Sequence, residues 1–191
     1  GEFDIKGGIE RAITPLNVQI TLRAQVGSDD ARPIKAGASI VYVQRGGTVI
    51  RTLFRTPAEG LESSEASVYS EHLLTPGIKC MTWERSPEHI VWVVLNNGKL
   101  IPWTRSEENN FSAMCGANHS GTVQWAVTVP ISSSDTTFCL TAYGAERVIE
   151  RINWAAPPGQ DARYVVSNSG GLMYHPLGAN QTLSTLADGI D

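Results

Sequence analysis

The sequence is short of cysteine, of charge and of long apolar runs, and each shortage removes a class of protein from consideration. Its three cysteines, at 80, 115 and 139, are odd in number and widely separated. That spacing suits neither a disulfide framework nor a C-x-x-C metal knuckle, so Cys80, Cys115 and Cys139 read as small, buried, free thiols. Charged residues supply 18% of the chain, Lys+Arg 15 against Asp+Glu 19, for a formal charge of -4. Without a basic run, the chain has no means of gripping a phosphate backbone tightly. No apolar stretch approaches the roughly 18 residues that cross a bilayer as a helix. The opening residues also lack the basic-then-apolar layout of a secretory signal. The expectation is a soluble protein made inside a cell, with no membrane span.

Motifs that carry chemistry are missing too. The chain contains no G-x-S-x-G nucleophile elbow, no G-x-x-x-x-G-K-[ST] phosphate loop and no G-x-G-x-x-G turn. Histidines 72, 89, 119 and 175 show neither H-x-x-x-H nor H-E-x-x-H spacing, so zinc is not expected. Glu71-His72 and Glu88-His89 set a carboxylate beside an imidazole, a combination suited to proton transfer. Neighbouring side chains on a helix or strand diverge, however, which favours a structural role for both pairs. The acidic doublets Asp29-Asp30 and Glu107-Glu108 lack the alternating oxygen donors of a calcium loop and read as solvated turns. Asn110, Asn118 and Asn180 head glycosylation-type triplets, which are discounted without a secretory signal. The sequence thus points to no catalytic residue, no metal and no cofactor.

What it does have is turn chemistry and period-two patterning. Gly 18 and Pro 10 supply many turns, and 41% hydrophobic residues suffice for a core. Alternation at Val18, Ile20, Leu22 and Ala24 marks a half-buried strand over Asn17 to Val26. Ile40 to Gln44 and Thr48 to Phe54 flank Arg45, Gly46 and Gly47, where paired glycines supply the positive φ of a hairpin turn. Ser63 to Leu74 reads as a short helix capped by Ser63 or Ser64 and ended by Pro76 and Gly77. Ile78 to Glu84, His89 to Leu95 and Lys99 to Arg105 then form a meander, with Asn97-Gly98 turning its second hairpin. Further strands are expected at Thr122 to Ile131, Thr136 to Tyr143, Arg147 to Asn153 and Ala162 to Ser167.

These segments predict an all-β fold, antiparallel meanders forming a sandwich or propeller-like sheet stack with one short helix. Gly1 to Gly7, GEFDIKG, reads as an expression remnant, residues 8–153 as a β-rich structural domain, and 154–191 as a weakly specified tail or the start of a further β-element. Trp83, Trp92 and Trp103 fall one per strand of the central meander and are assigned to the structural core, with Gly46, Gly47, Asn97 and Gly98 as its turns. Tryptophans on a sheet face can instead serve as platforms for sugar rings, which keeps a carbohydrate-binding β-module, such as a tail-associated receptor-binding domain, as the alternative. A hydrolase is a third reading, disfavoured by the missing motifs.

An ordered series of short strings adds a resemblance. Val43-Gln44-Arg45-Gly46-Gly47, Ser70-Glu71-His72-Leu73, Met81-Thr82-Trp83, Ser86-Pro87, Ile90-Val91-Trp92-Val93-Val94, Asn97-Gly98-Lys99-Leu100 and Val148-Ile149-Glu150-Arg151 follow one another along the chain. Over about Ile40 to Ile152 this series resembles the tail nozzle proteins of short-tailed bacteriophages, also called tail tubular protein B or head-tail stabilisation proteins. That family typically carries F-V-Q-R-G-G, A-E-H-L, P-x-x-x-L-W-V-V and D-G-x-L in this order. Here Asn97 stands where Asp is frequent, Tyr69-Ser70 replaces a more apolar helix face, and Phe111 takes the place of a Trp. The resemblance implies a β-rich structural subunit of the virion tail, made in the host cytoplasm and assembled as a homo-oligomeric ring against portal or adaptor and tail proteins. It also implies a channel that DNA traverses during ejection without sequence-specific binding, and no catalysis.

Overall fold

Period-two alternation and glycine-rich turns give mostly antiparallel strands, in a computed structural model that describes residues 2–7, 12–56, 60–106, 111–117, 121–152, 163–166 and 172–174. The fold is all-β, as expected, with a single short helix among the described residues. The stretch read as one domain over 8–153 divides into two compact units, Gly1–Ile78 and Lys79–Asp191.

The first unit opens with β1 (Glu2–Gly7) and β2 (Val18–Ala24), an antiparallel ribbon. Glu2–Gly7 of the stretch set aside as a remnant is therefore paired with β2. The register explains why: Phe3 and Ile5 lie opposite Leu22 and Ile20, so apolar positions match on one face. On the other face Arg23 meets the Asp4 carboxylate at 3.3 Å. A four-stranded sheet follows in chain order, β3 (Ile34–Ala36), β4 (Ser39–Val43), β5 (Ile50–Thr56) and β6 (Gly60–Glu65). Val41, Val43, Ile50 and Leu74 are fully buried. Gly46 and Gly47 both adopt positive φ in the β4–β5 turn, 109° and 79°, which a side-chain-bearing residue would resist.

The expected helix over Ser63 to Leu74 is corrected. Ser63 and Ser64 lie in β6, and only α1 (Glu71–Leu74) is helical, with Ser70 at its N-cap. Pairing with β5 overrides the local signal: the Arg51 guanidinium donates to both Oγ and the carbonyl of Ser63, and the Ser64 and Thr52 hydroxyls share a hydrogen bond at 2.9 Å. Ser and Glu side chains fit a polar strand face as readily as a first helical turn, so sequence alone could not choose.

The second unit is a two-layer sandwich. One sheet has the order β10-β9-β8-β7, built from β7 (Ile78–Glu84), β8 (Ile90–Leu95), β9 (Leu100–Ser106) and β10 (Phe111–Met114). The other runs in chain order through β11 (Thr122–Ile131), β12 (Ser134–Tyr143), β13 (Glu146–Ile152), β14 (Arg163–Val166) and β15 (Leu172–Tyr174). Between the layers Cys80, Ile90, Trp92, Val94 and Leu100 pack with Val123, Ala126, Cys139 and Ile152. Every residue of β8 is buried, so both of its faces are covered, as its unbroken apolar run IVWVVL requires.

The β8–β9 hairpin turns where Asn97-Gly98 predicted. The Gly98 N–H donates to the Leu95 carbonyl, the Leu95 N–H to the Lys99 carbonyl, and Gly98 has φ of 80°. Only the glycine occupies the left-handed region; Asn97 instead accepts the Lys99 N–H on its side-chain oxygen at 3.1 Å. Gly98 is needed for a second reason, since a Cβ there would collide with the Thr122 side chain of the facing layer.

Candidate functional site

Alternation along β7 sends Cys80, Thr82 and Glu84 toward the facing sheet and Met81 and Trp83 away from it. The three tryptophans of the meander consequently divide. Trp92 lies between the layers at 6% exposure, whereas Trp103 is on the other face of its sheet, buried to 1%. Trp103 Nε1 donates to the Ser112 hydroxyl, and the Arg105 guanidinium sits 5.6 Å from its ring. Trp83 is half-buried, its ring 5.9 Å from that of His89. The three therefore form no common platform.

The inter-sheet space holds a polar centre that the sequence did not announce. Glu84 is fully buried, and its Oε2 accepts from Trp92 Nε1 at 2.7 Å and from the Thr137 hydroxyl at 2.5 Å. Thr137 in turn shares a hydrogen bond with Thr128. A second buried carboxyl, Glu150, accepts from Thr141 at 2.5 Å and from Tyr143 at 2.6 Å. The donors to these two carboxyls include three hydroxyls and an indole. Such satisfied groups fix which strand faces which. The sequence marks neither carboxyl as buried: the Thr137 donor to Glu84 lies 53 residues away, and Glu150, although its donors are 9 and 7 residues off, turns inward only through its pairing with Cys139 on the neighbouring strand.

Other sequence candidates stay apart. His89 is exposed, and α1, which carries Glu71-His72, has a single turn. His119, His175, Glu107-Glu108 and the triplets' Asn110, Asn118 and Asn180 lie outside the described residues. Among the described residues no group of three His, Cys, Asp or Glu side chains is placed to hold a metal ion, and no helix is long and apolar enough to cross a membrane. Cys80 and Cys139 are buried, and burial pushes the Cys80 thiol above its ordinary 9.0. The expectation of burial fails at Cys115, which is exposed: it follows the end of β10, where no alternating strand pattern turns it inward.

The outer face of the β11–β13 sheet is a different kind of surface. Trp125, Val127, Val129 and Ile131 point outward from β11 and Ile149 from β13; all are exposed, Trp125 to 51%. Half-buried Phe138 and Leu140 lie between them in register with Val127 and Trp125. Arg147 and Arg151 share this face on β13, and Arg147 Nε donates to Gln124 Oε1 at 3.2 Å. The neighbouring edge is closed, because the Thr128 N–H donates to the Thr82 hydroxyl, Cys80 bonds the Ala126 backbone, and Pro130 has no N–H. No protein-family model and no curated protein matches this chain.

Proposed function

We propose that the chain is a non-enzymatic structural module of a phage or prophage tail, part of a nozzle subunit that forms the DNA exit channel as a homo-oligomeric ring. The observation that carries this reading is the ordered series of strings from Val43 to Arg151, which resembles the tail nozzle family in sequence and spacing. Two physical features support it. The buried carboxyls are spent on hydroxyl and indole donors that hold strands together, the economy of a scaffold rather than of a catalyst. The net charge of -4 suits a conduit, since a weakly acidic chain repels a phosphate backbone in transit.

Ring contacts are heterologous, with one face meeting a different face of the next copy, so the isolated chain can be monomeric while a longer parent closes a ring. The test is to delete the segment 40–152 from the parent gene and inspect the particles by electron microscopy. Tails should be missing or leaky to DNA. Normal tails that retain and deliver DNA would overturn the assignment.

A further inference from the structure

From the outer face of the β11–β13 sheet we infer a second property, independent of the tail reading: a binding site for an acidic saccharide, centred on Trp125 and flanked by Arg147 and Arg151. The row Trp125–Leu140–Ile149 crosses three strands, giving a strip of apolar side chains with an exposed indole at one end. Arg147 belongs to the row on one side of it, opposite Ala142, and Arg151 to the row on the other, opposite Phe138. Rows on one face are two residues apart, about 7 Å, so the two guanidiniums bracket the strip along the strand direction. Gln124, held by Arg147, adds an amide beside the indole.

Each part recognises something different. An exposed indole on a sheet face offers a stacking surface for the C–H face of a pyranose, and the aliphatic neighbours Leu140 and Ile149 extend it. A guanidinium binds a carboxylate through parallel N–H donors, which selects uronic or sialic acid residues over neutral sugars. No carboxylate occupies an outward position in the segments 125–131, 136–142 or 147–151. These segments thus present two arginines and no outward carboxylate on a chain whose net charge is -4, a charge pattern complementary to an anion.

Competing occupants fit less well. An added peptide strand would need the free edge of β11, which Cys80, Thr82 and Pro130 close. Single-stranded nucleic acid is held by successive aromatic platforms in a basic groove, whereas this face has one exposed tryptophan on an acidic protein. Two copies meeting by this same face would bring arginines against arginines or against apolar side chains.

The test titrates the whole chain with oligogalacturonate at low salt, following tryptophan fluorescence and calorimetric heat, alongside maltohexaose, inorganic polyphosphate and an oligo-dT. Oligogalacturonate should bind and maltohexaose should bind at least tenfold more weakly. Trp125→Ala and the double variant Arg147→Gln/Arg151→Gln should each weaken oligogalacturonate at least tenfold. Both alter exposed or half-buried side chains, and their unfolding midpoints should match the parent's, which separates loss of binding from loss of fold. No binding at millimolar oligogalacturonate, equal binding by Trp125→Ala, or equal affinity for polyphosphate would each overturn the inference. So would tighter binding of oligo-dT, or concentration-dependent self-association abolished by Trp125→Ala, which would give the face to nucleic acid or to a second copy.

Discussion

Trp92 shows how much one side chain contributes when it supplies both volume and a donor. Truncating a buried aromatic leaves a cavity and forfeits its transfer free energy, so Trp92→Ala should lower stability by about 3–5 kcal/mol in chemical denaturation. Trp92→Phe keeps most of the volume but deletes the indole N–H that Glu84 accepts; a loss of about 1–3 kcal/mol is expected. A phenylalanine variant as stable as the parent would show the hydrogen bond to be dispensable. Cys80 gives a pH signature instead. Burial raises its pKa above 9.0, with the Ala126 backbone and the Lys79 charge opposing, so the folded thiol resists ionisation that the unfolded one undergoes. The folded state then binds more protons, and stability should stay level below the ordinary thiol value and fall as pH rises above 9.0 toward the higher folded value. Tyr42 shifts the same way from 10.0, chiefly by burial, so the decline just above pH 9.0 belongs to the thiol. Cys80→Ala should flatten that part of the curve, as urea midpoints measured across the range would reveal.

At the scale of elements, the turns were legible and the weaker pairings were not. Asn97-Gly98 and Gly46-Gly47 announced their hairpins because a requirement for positive φ is local and few residues meet it. What the motif could not show is that Gly98 also touches Thr122 of the opposite layer. Gly144 separates the two effects: its φ is 61°, yet a Cβ there would meet nothing within 4 Å. Gly144→Ala should therefore cost only backbone strain, roughly 1 kcal/mol. Gly98→Ala adds a collision with Thr122 of the facing sheet and should cost more, about 3 kcal/mol, with equal losses arguing against the packing role. β6 escaped notice because its polar sequence GLESSE is decided by partners on β5, not by its own period. The face around Trp125 escaped for the opposite reason. QWAVTVPI alternates too little for one face to stand out as solvent-exposed, since outward Trp125, Val127 and Val129 are as apolar as inward Ala126.

Across the molecule, antiparallel meanders came through from sequence while the division at Ile78 and the pairing of Glu2–Gly7 did not, both being properties of contacts between distant segments. The closure of the β11 edge is another such property, and it makes one amide an unusual reporter. Most amides of a strand exchange with solvent when their own ladder opens, but the Thr128 N–H is held by Thr82, a side chain of the other sheet. Its deuterium uptake should accordingly track separation of the layers. Thr82→Val removes the acceptor, and exchange at Thr128 should quicken by tenfold or more while ladder amides of β11 keep their rates, as read by two-dimensional NMR. In the unmodified protein, that single resonance then serves as a gauge of how often the sandwich breathes apart without its strands unzipping.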